Sequence, residues 1–101
     1  MTIATLEQFK DYVRELTNDL DDTFTLALES ASAEVRHYLG FDPEAESGGP
    51  EPDIVMACCL LAAIHADAGD PTVNAYRRRA AMRLLDPYRL NTGFGAAASE
   101  S

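Results

Sequence analysis

The chain has no tryptophan, only two cysteines and two histidines, and eight basic residues against seventeen acidic ones in 101 positions. Each scarcity removes a class of protein. The missing bases argue against a general nucleic-acid binder, which must replace phosphate counterions with Lys and Arg. Cys58 and Cys59 are sequence neighbours, and on a helix they would point roughly 100° apart. That geometry disfavours a bridge between them and points to buried free thiols in a reducing compartment. The longest apolar run, Ile54 to Ile64, is shorter than the ~18–20 residues that cross a bilayer, so no membrane association is expected. Met1-Thr2-Ile3-Ala4 lacks the basic-then-apolar order of a signal peptide. Synthesis and folding in the cytoplasm are the expectation.

Catalytic and metal sets are equally thin. His37 and His65 fall on different predicted helices, and no Ser or Asp is placed by sequence to complete a triad with either. Cys58, Cys59 and His65 supply too few ligands for zinc and lack a Cys-x-x-Cys pair. Gly48-Gly49 runs into Pro50 without the Lys-Ser or Lys-Thr of a phosphate cradle. No enzyme, cofactor or metal is predicted.

What is present is helix-forming. Ala, Leu and charged residues dominate, and the length fits a single domain able to bury about 60–65% of its unfolded surface. Thr5 and Gln8 form a capping-box pattern ahead of Leu6, Phe9, Val13 and Leu16 at helical spacing, which predicts a first helix from Leu6 to Leu16. Asp21 or Asp22 is placed to cap a second helix, whose inner side is Phe24, Leu28, Ala31, Val35 and Tyr38 or Leu39. Gly40 suits a left-handed terminus there, with Phe41 folding back. Residues 42–51 are acidic, rich in chain breakers and aperiodic, which predicts a mobile loop. Pro52 opens a third helix over Asp53 to Ala68 that is apolar on every side, as expected of a central rod. Asp70-Pro71 opens the fourth, with Val73, Tyr76, Ala80, Ala81, Leu84 and Leu85 on its predicted buried arc and Pro87 at its end. The expected fold is all-α, a compact bundle of about four helices with a central apolar third helix. It would occupy residues 1–90, followed by a flexible C-terminal tail over 91–101.

Charge is segregated along this plan. Residues 1–53 hold thirteen acids and three bases, whereas residues 71–89 hold five bases, Arg77, Arg78, Arg79, Arg83 and Arg89, and one acid. Opposite ends of opposite sign suit head-to-tail association of identical copies, which closes into a ring when the rotation allows. Arg77 stands out because it falls among Val73, Ala80, Ala81 and Leu84 on the wheel, where a guanidinium needs a partner. It could snorkel, pair with Asp67, or, like Arg78, meet acids of a neighbouring subunit; the triple arginine could also touch DNA. Tyr88 is expected to pack onto the bundle and Arg89 to contact a partner.

Several features in order resemble the small all-helical head–tail connector proteins of tailed phages, also called head-completion or adaptor proteins. They are the short amphipathic first helix, the Asp-rich turn of Asp19, Asp21 and Asp22, and Ser30-Ala31-Ser32-Ala33-Glu34-Val35 leading to Tyr38-Leu39-Gly40. The Pro-opened helix with Leu60-Leu61-Ala62-Ala63-Ile64-His65 and the closing Leu84-Leu85-Asp86-Pro87-Tyr88-Arg89 complete the set. The resemblance spans about Leu6 to Arg89. It implies a non-enzymatic virion protein at the head–tail interface, in a homo-oligomeric, dodecameric ring under the portal protein. Such a ring would extend the DNA channel, help retain the genome and receive the next connector or tail-completion protein. DNA would pass without sequence-specific contact. Under that reading the five arginines serve the subunit or portal interface, and Asp19, Asp21 and Asp22 are channel or inter-subunit acids. The alternative from the residues alone is a small helical adaptor or regulatory protein that binds a cellular partner through its basic C-terminal helix.

Overall fold

A computed structural model describes residues 2–15, 17–45, 49–66 and 70–89. It is an all-α globule of four helices, α1 (Leu6–Val13), α2 (Asp21–Leu39), α3 (Pro52–Ala66) and α4 (Pro71–Leu85), with single 3-10 turns at Pro43–Ala45 and Asp86–Tyr88. No strand occurs among the described residues. The predicted tail over 91–101 lies outside them, as do Leu16, Asp67 and the centre of the acidic loop.

The capping box holds as predicted. Thr5 Oγ1 accepts from the Gln8 amide at 3.0 Å and Gln8 Oε1 accepts from the Thr5 amide at 2.8 Å. The far end of α1 departs from expectation, because Arg14 adopts a left-handed conformation (φ 63°) and the helix stops at Val13. The amide of Glu15 then donates to Lys10 O at 2.9 Å and that of Arg14 to Asp11 O at 3.3 Å, a Schellman closure built on a residue other than glycine. Lys10 Nζ draws the following segment back, donating to Asn18 Oδ1 at 2.8 Å and Asp21 Oδ1 at 2.9 Å.

The predicted Asp cap of α2 is also corrected. Leu20 occupies the cap position with no side-chain hydrogen bond, and Asp21 and Asp22 sit in the first turn, where the helix dipole favours negative charge. Phe24, Leu28, Ala31, Val35 and Leu39 are buried as the spacing requires. Gly40 ends the helix with φ 86°, a conformation that costs an L-residue about 1–2 kcal/mol. The loop that follows is tied at its start: Arg36 pairs with Asp42 at 3.1 Å and Glu44 at 2.8 Å, and Pro43 is buried.

Helix α3 is the middle of the fold, packing against α1, α2 and α4. Ala57, Cys58, Leu61 and Ala62 have no exposed surface, and the small size of the two alanines and the cysteine lets the flanking helices approach closely. Its apolar character exceeds its burial, since Met56 lies open to solvent. The N-terminal segment adds an unpredicted plug: Ile3 and Ala4 join the core, and the Ile3 amide donates to the fully buried Ser32 Oγ at 2.8 Å. Phe9 closes this end, edge-on to Phe24 at 4.9 Å between ring centroids.

Helix α4 begins as predicted, with Asp70 Oδ1 accepting from the Thr72 amide at 2.8 Å ahead of Pro71. Its buried face differs from the predicted arc. Ala81 and Leu85 are buried and Asn74, Arg77, Met82 and Leu84 half-buried, whereas Val73, Tyr76 and Ala80 are exposed. The inner line is therefore Asn74, Arg77, Ala81 and Leu85, spaced three, four and four residues apart, so the helix is turned to bring Arg77 inward and Tyr76 out.

Candidate interaction surface

The five arginines divide into distinct environments. Arg77 lines a groove of about 640 Å³ together with Phe9, Tyr12, Val13, Leu20, Phe24 and Ala66. Its Nη1 donates to Asn74 Oδ1 at 3.0 Å. The predicted mate, Asp67, lies outside the described residues. Glu15 lines the same groove, so Arg77 is half-buried among apolar and polar groups, where hydrogen bonding offsets the cost of burying its charge.

Arg78 is engaged within the chain. It donates to Glu34 Oε2 on α2, and Glu34 Oε1 lies 3.2 Å from His65 Nε2 on α3, so one carboxylate ties three helices together. Burial pushes the Glu34 carboxyl up, but the hydrogen bonds and charges of Arg78 and His65 outweigh it and hold the group below its ordinary range. Arg89 is also engaged: its guanidinium lies 4.6 Å above the Tyr38 ring. The Tyr38 hydroxyl donates to Asp86, and that bond, helped by burial, raises the phenol above its usual pKa. Tyr88 packs onto the core as expected, with its hydroxyl 3.5 Å from Asp53 Oδ2.

Arg79 and Arg83 remain on the solvent side. Among the described residues no carboxylate pairs with either. Arg79 lies 5.8 Å over the ring of Tyr76, which is 67% exposed, and Val73 is open beside them. With Thr72 these residues recur at three- and four-residue intervals, so Thr72, Tyr76, Arg79 and Arg83 make one stripe along α4. Tyrosine and arginine are the side chains most often found as anchors of protein interfaces.

Of the three candidate acids, Asp19 and Asp22 are exposed and Asp21 is bridged to Lys10. Asp22 continues along α2 into a second stripe, Leu26, Glu29 and Ala33, at the same spacing as the stripe on α4. Leu26 is 65% exposed between carboxylates. Sequence periodicity could have flagged it, because it falls off the arc of Phe24, Leu28, Ala31 and Val35.

The remaining chemistry-bearing residues lie elsewhere. Cys58 and Cys59 are buried free thiols, and burial pushes the Cys59 thiol up to about 12. No three His, Cys, Asp or Glu side chains converge among the described residues. No described helix is long and apolar enough to cross a membrane. A second groove of about 560 Å³ between α1 and α3 is lined by Tyr12, Pro52, Val55, Met56 and Cys59. The surface thus offers a cationic–aromatic stripe on α4 and an acidic–apolar stripe on α2. Compared with known proteins, the chain matches no family model, no curated protein and no solved structure.

Proposed function

We propose that this protein is a structural subunit of a phage head–tail connector ring, docking under the portal and joining head to tail around the DNA channel. The observation that carries the reading is the division of exposed charge between helices: Arg79 and Arg83 beside open Tyr76 on α4, and Asp19, Asp22 and Glu29 around α2. The order of sequence features that resembles the connector family supplies the biological setting. Surfaces of opposite sign on one protomer favour unlike contacts, the kind that generate rings. The acids left unpaired would repel the phosphate backbone and let duplex DNA slide without adhering.

Arg78 and Arg89 also have partners within the chain. Their contacts to Glu34 and Tyr38 leave both residues exposed, so they stay with Arg79 and Arg83 as candidates for the subunit or portal interface.

The test is electron microscopy of the purified protein mixed with the portal encoded beside it. The expected result is added annular density beneath the portal, lost in the Arg79→Glu/Arg83→Glu variant. A genomic neighbourhood without portal, capsid or tail genes, together with capture of a cellular protein through α4, would overturn the reading in favour of a regulatory adaptor. Binding to duplex DNA that falls steeply with salt would instead assign the arginines to nucleic acid.

A further inference from the structure

We propose that the stripe Tyr76, Arg79 and Arg83 on α4 of one copy seats on the stripe Asp22, Leu26 and Glu29 on α2 of the next. This inference rests on the ring reading and names the contact that would build it.

The two stripes match in pattern as well as in sign. Each places one large, open apolar side chain among charges: Leu26 lies four residues after Asp22 and three before Glu29, and Tyr76 lies three before Arg79. With Tyr76 laid on Leu26, an acid faces Arg79 whichever way the helices run. It is Glu29 if they are parallel and Asp22 if they are antiparallel. Leu26 and Tyr76, at 65% and 67% exposure, are the two most open of the large hydrophobic side chains among the described residues. Burying them together removes the apolar surface that each copy otherwise shows to water.

Like-with-like pairing is opposed by the same residues. Two α4 stripes would bring Arg79 and Arg83 against their own copies, and two α2 stripes would do so with Asp22 and Glu29. A twofold dimer through either stripe is therefore unfavourable. Because the two stripes lie on different helices, one copy can use both at once, as a head-to-tail chain or ring requires.

The test uses two variants of the full chain, each with one stripe removed. Tyr76→Ala/Arg79→Ala leaves α2 intact, and Leu26→Ala/Glu29→Ala leaves α4 intact. All four positions are exposed and helical, so circular dichroism should show unchanged folding. In sedimentation velocity at low ionic strength, up to roughly 1 mM protein, the wild type should self-associate and dissociate as salt is added. Each variant should associate at least about tenfold more weakly. Their equimolar mixture should give a one-to-one pair that grows no further, since only one intact contact remains.

Three results would overturn the proposal: a wild type that stays monomeric throughout, variants that associate as the wild type does, or a mixture that fails to pair. Portal binding is scored separately. Wild-type rings on the portal without complementation in the mixture retire this pairing and keep the connector reading. Complementation without portal binding supports the pairing and counts against the connector reading.

Discussion

The carboxylate of Glu34 receives the guanidinium of Arg78 from forty-four residues further along the chain, joining α2 to α4 across one edge of α3. The pair is part-exposed, Arg78 more than Glu34, and its contribution belongs with surface ion pairs at about 0.2–1 kcal/mol. Its direction with pH is nevertheless defined. Glu34 is depressed in the folded state from a reference value of 4.5. The stabilisation is therefore fully present above that value and is lost as pH falls through the lower, folded value. Glu34→Gln should lower the urea midpoint at pH 7, and the gap from wild type should narrow as the titration is repeated at successively lower pH below 4.5.

Ser32 is the acceptor for an amide that has left water. Ser32→Ala removes it and leaves the Ile3 N–H without its partner in the core. A loss of about 1–3 kcal/mol is expected. Hydrogen exchange should show the Ile3 amide deprotected well before those of α3.

The two thiols should be silent in the folded protein. Cys58 and Cys59 are at most 3% exposed, and burial disfavours both thiolates, Cys59 most clearly. An aromatic disulfide reagent at about pH 8 should modify neither until denaturant unfolds the chain, after which both react together. Rapid modification of one thiol under native conditions would show that α3 opens locally.

Arg14 offers a change in the opposite direction. It holds a left-handed backbone at φ 63° with an ordinary side chain, beyond the end of α1. Arg14→Gly should raise stability by up to about 1 kcal/mol, because relief of that conformation exceeds the added freedom of the unfolded chain. Thermal melts that move down would show that the arginine side chain has a compensating role.

Three helix termini, the starts of α1 and α4 and the end of α2, were legible because their chemistry is local. Thr5 with Gln8, Asp70 with Pro71, and Gly40 each act within three residues of where they stand, and each acts as read. The α1 terminus was not legible, since Arg14 carries no residue-type mark of a left-handed position and is held by the loop that Lys10 pulls back. Nor was the rotation of α4. Its wheel holds Val73 and Tyr76 on one flank and Asn74 and Arg77 on another, and apolarity alone favours the first. The groove that Arg77 lines together with Phe9, Tyr12, Glu15 and Phe24 goes with the second. The engagement of Arg78 with Glu34 and of Ile3 with Ser32 depends on pairs far apart in the chain, which no periodicity reports. Of the candidate surface, the sign of α4 was readable; that Arg78 and Arg89 have partners within the chain, and that Leu26 lies open on α2, required the packed helices.

The alanines and cysteines of α3 would bear on any assembly built through the two stripes. They set how close α2 and α4 lie to the middle helix, and so the angle between the two outward stripes. In a ring built through those stripes, that angle is the turn from one protomer to the next. Exchanging Ala57 or Ala62 for a bulkier residue would then alter the circumference of the assembly from inside the fold, without touching a single contact residue.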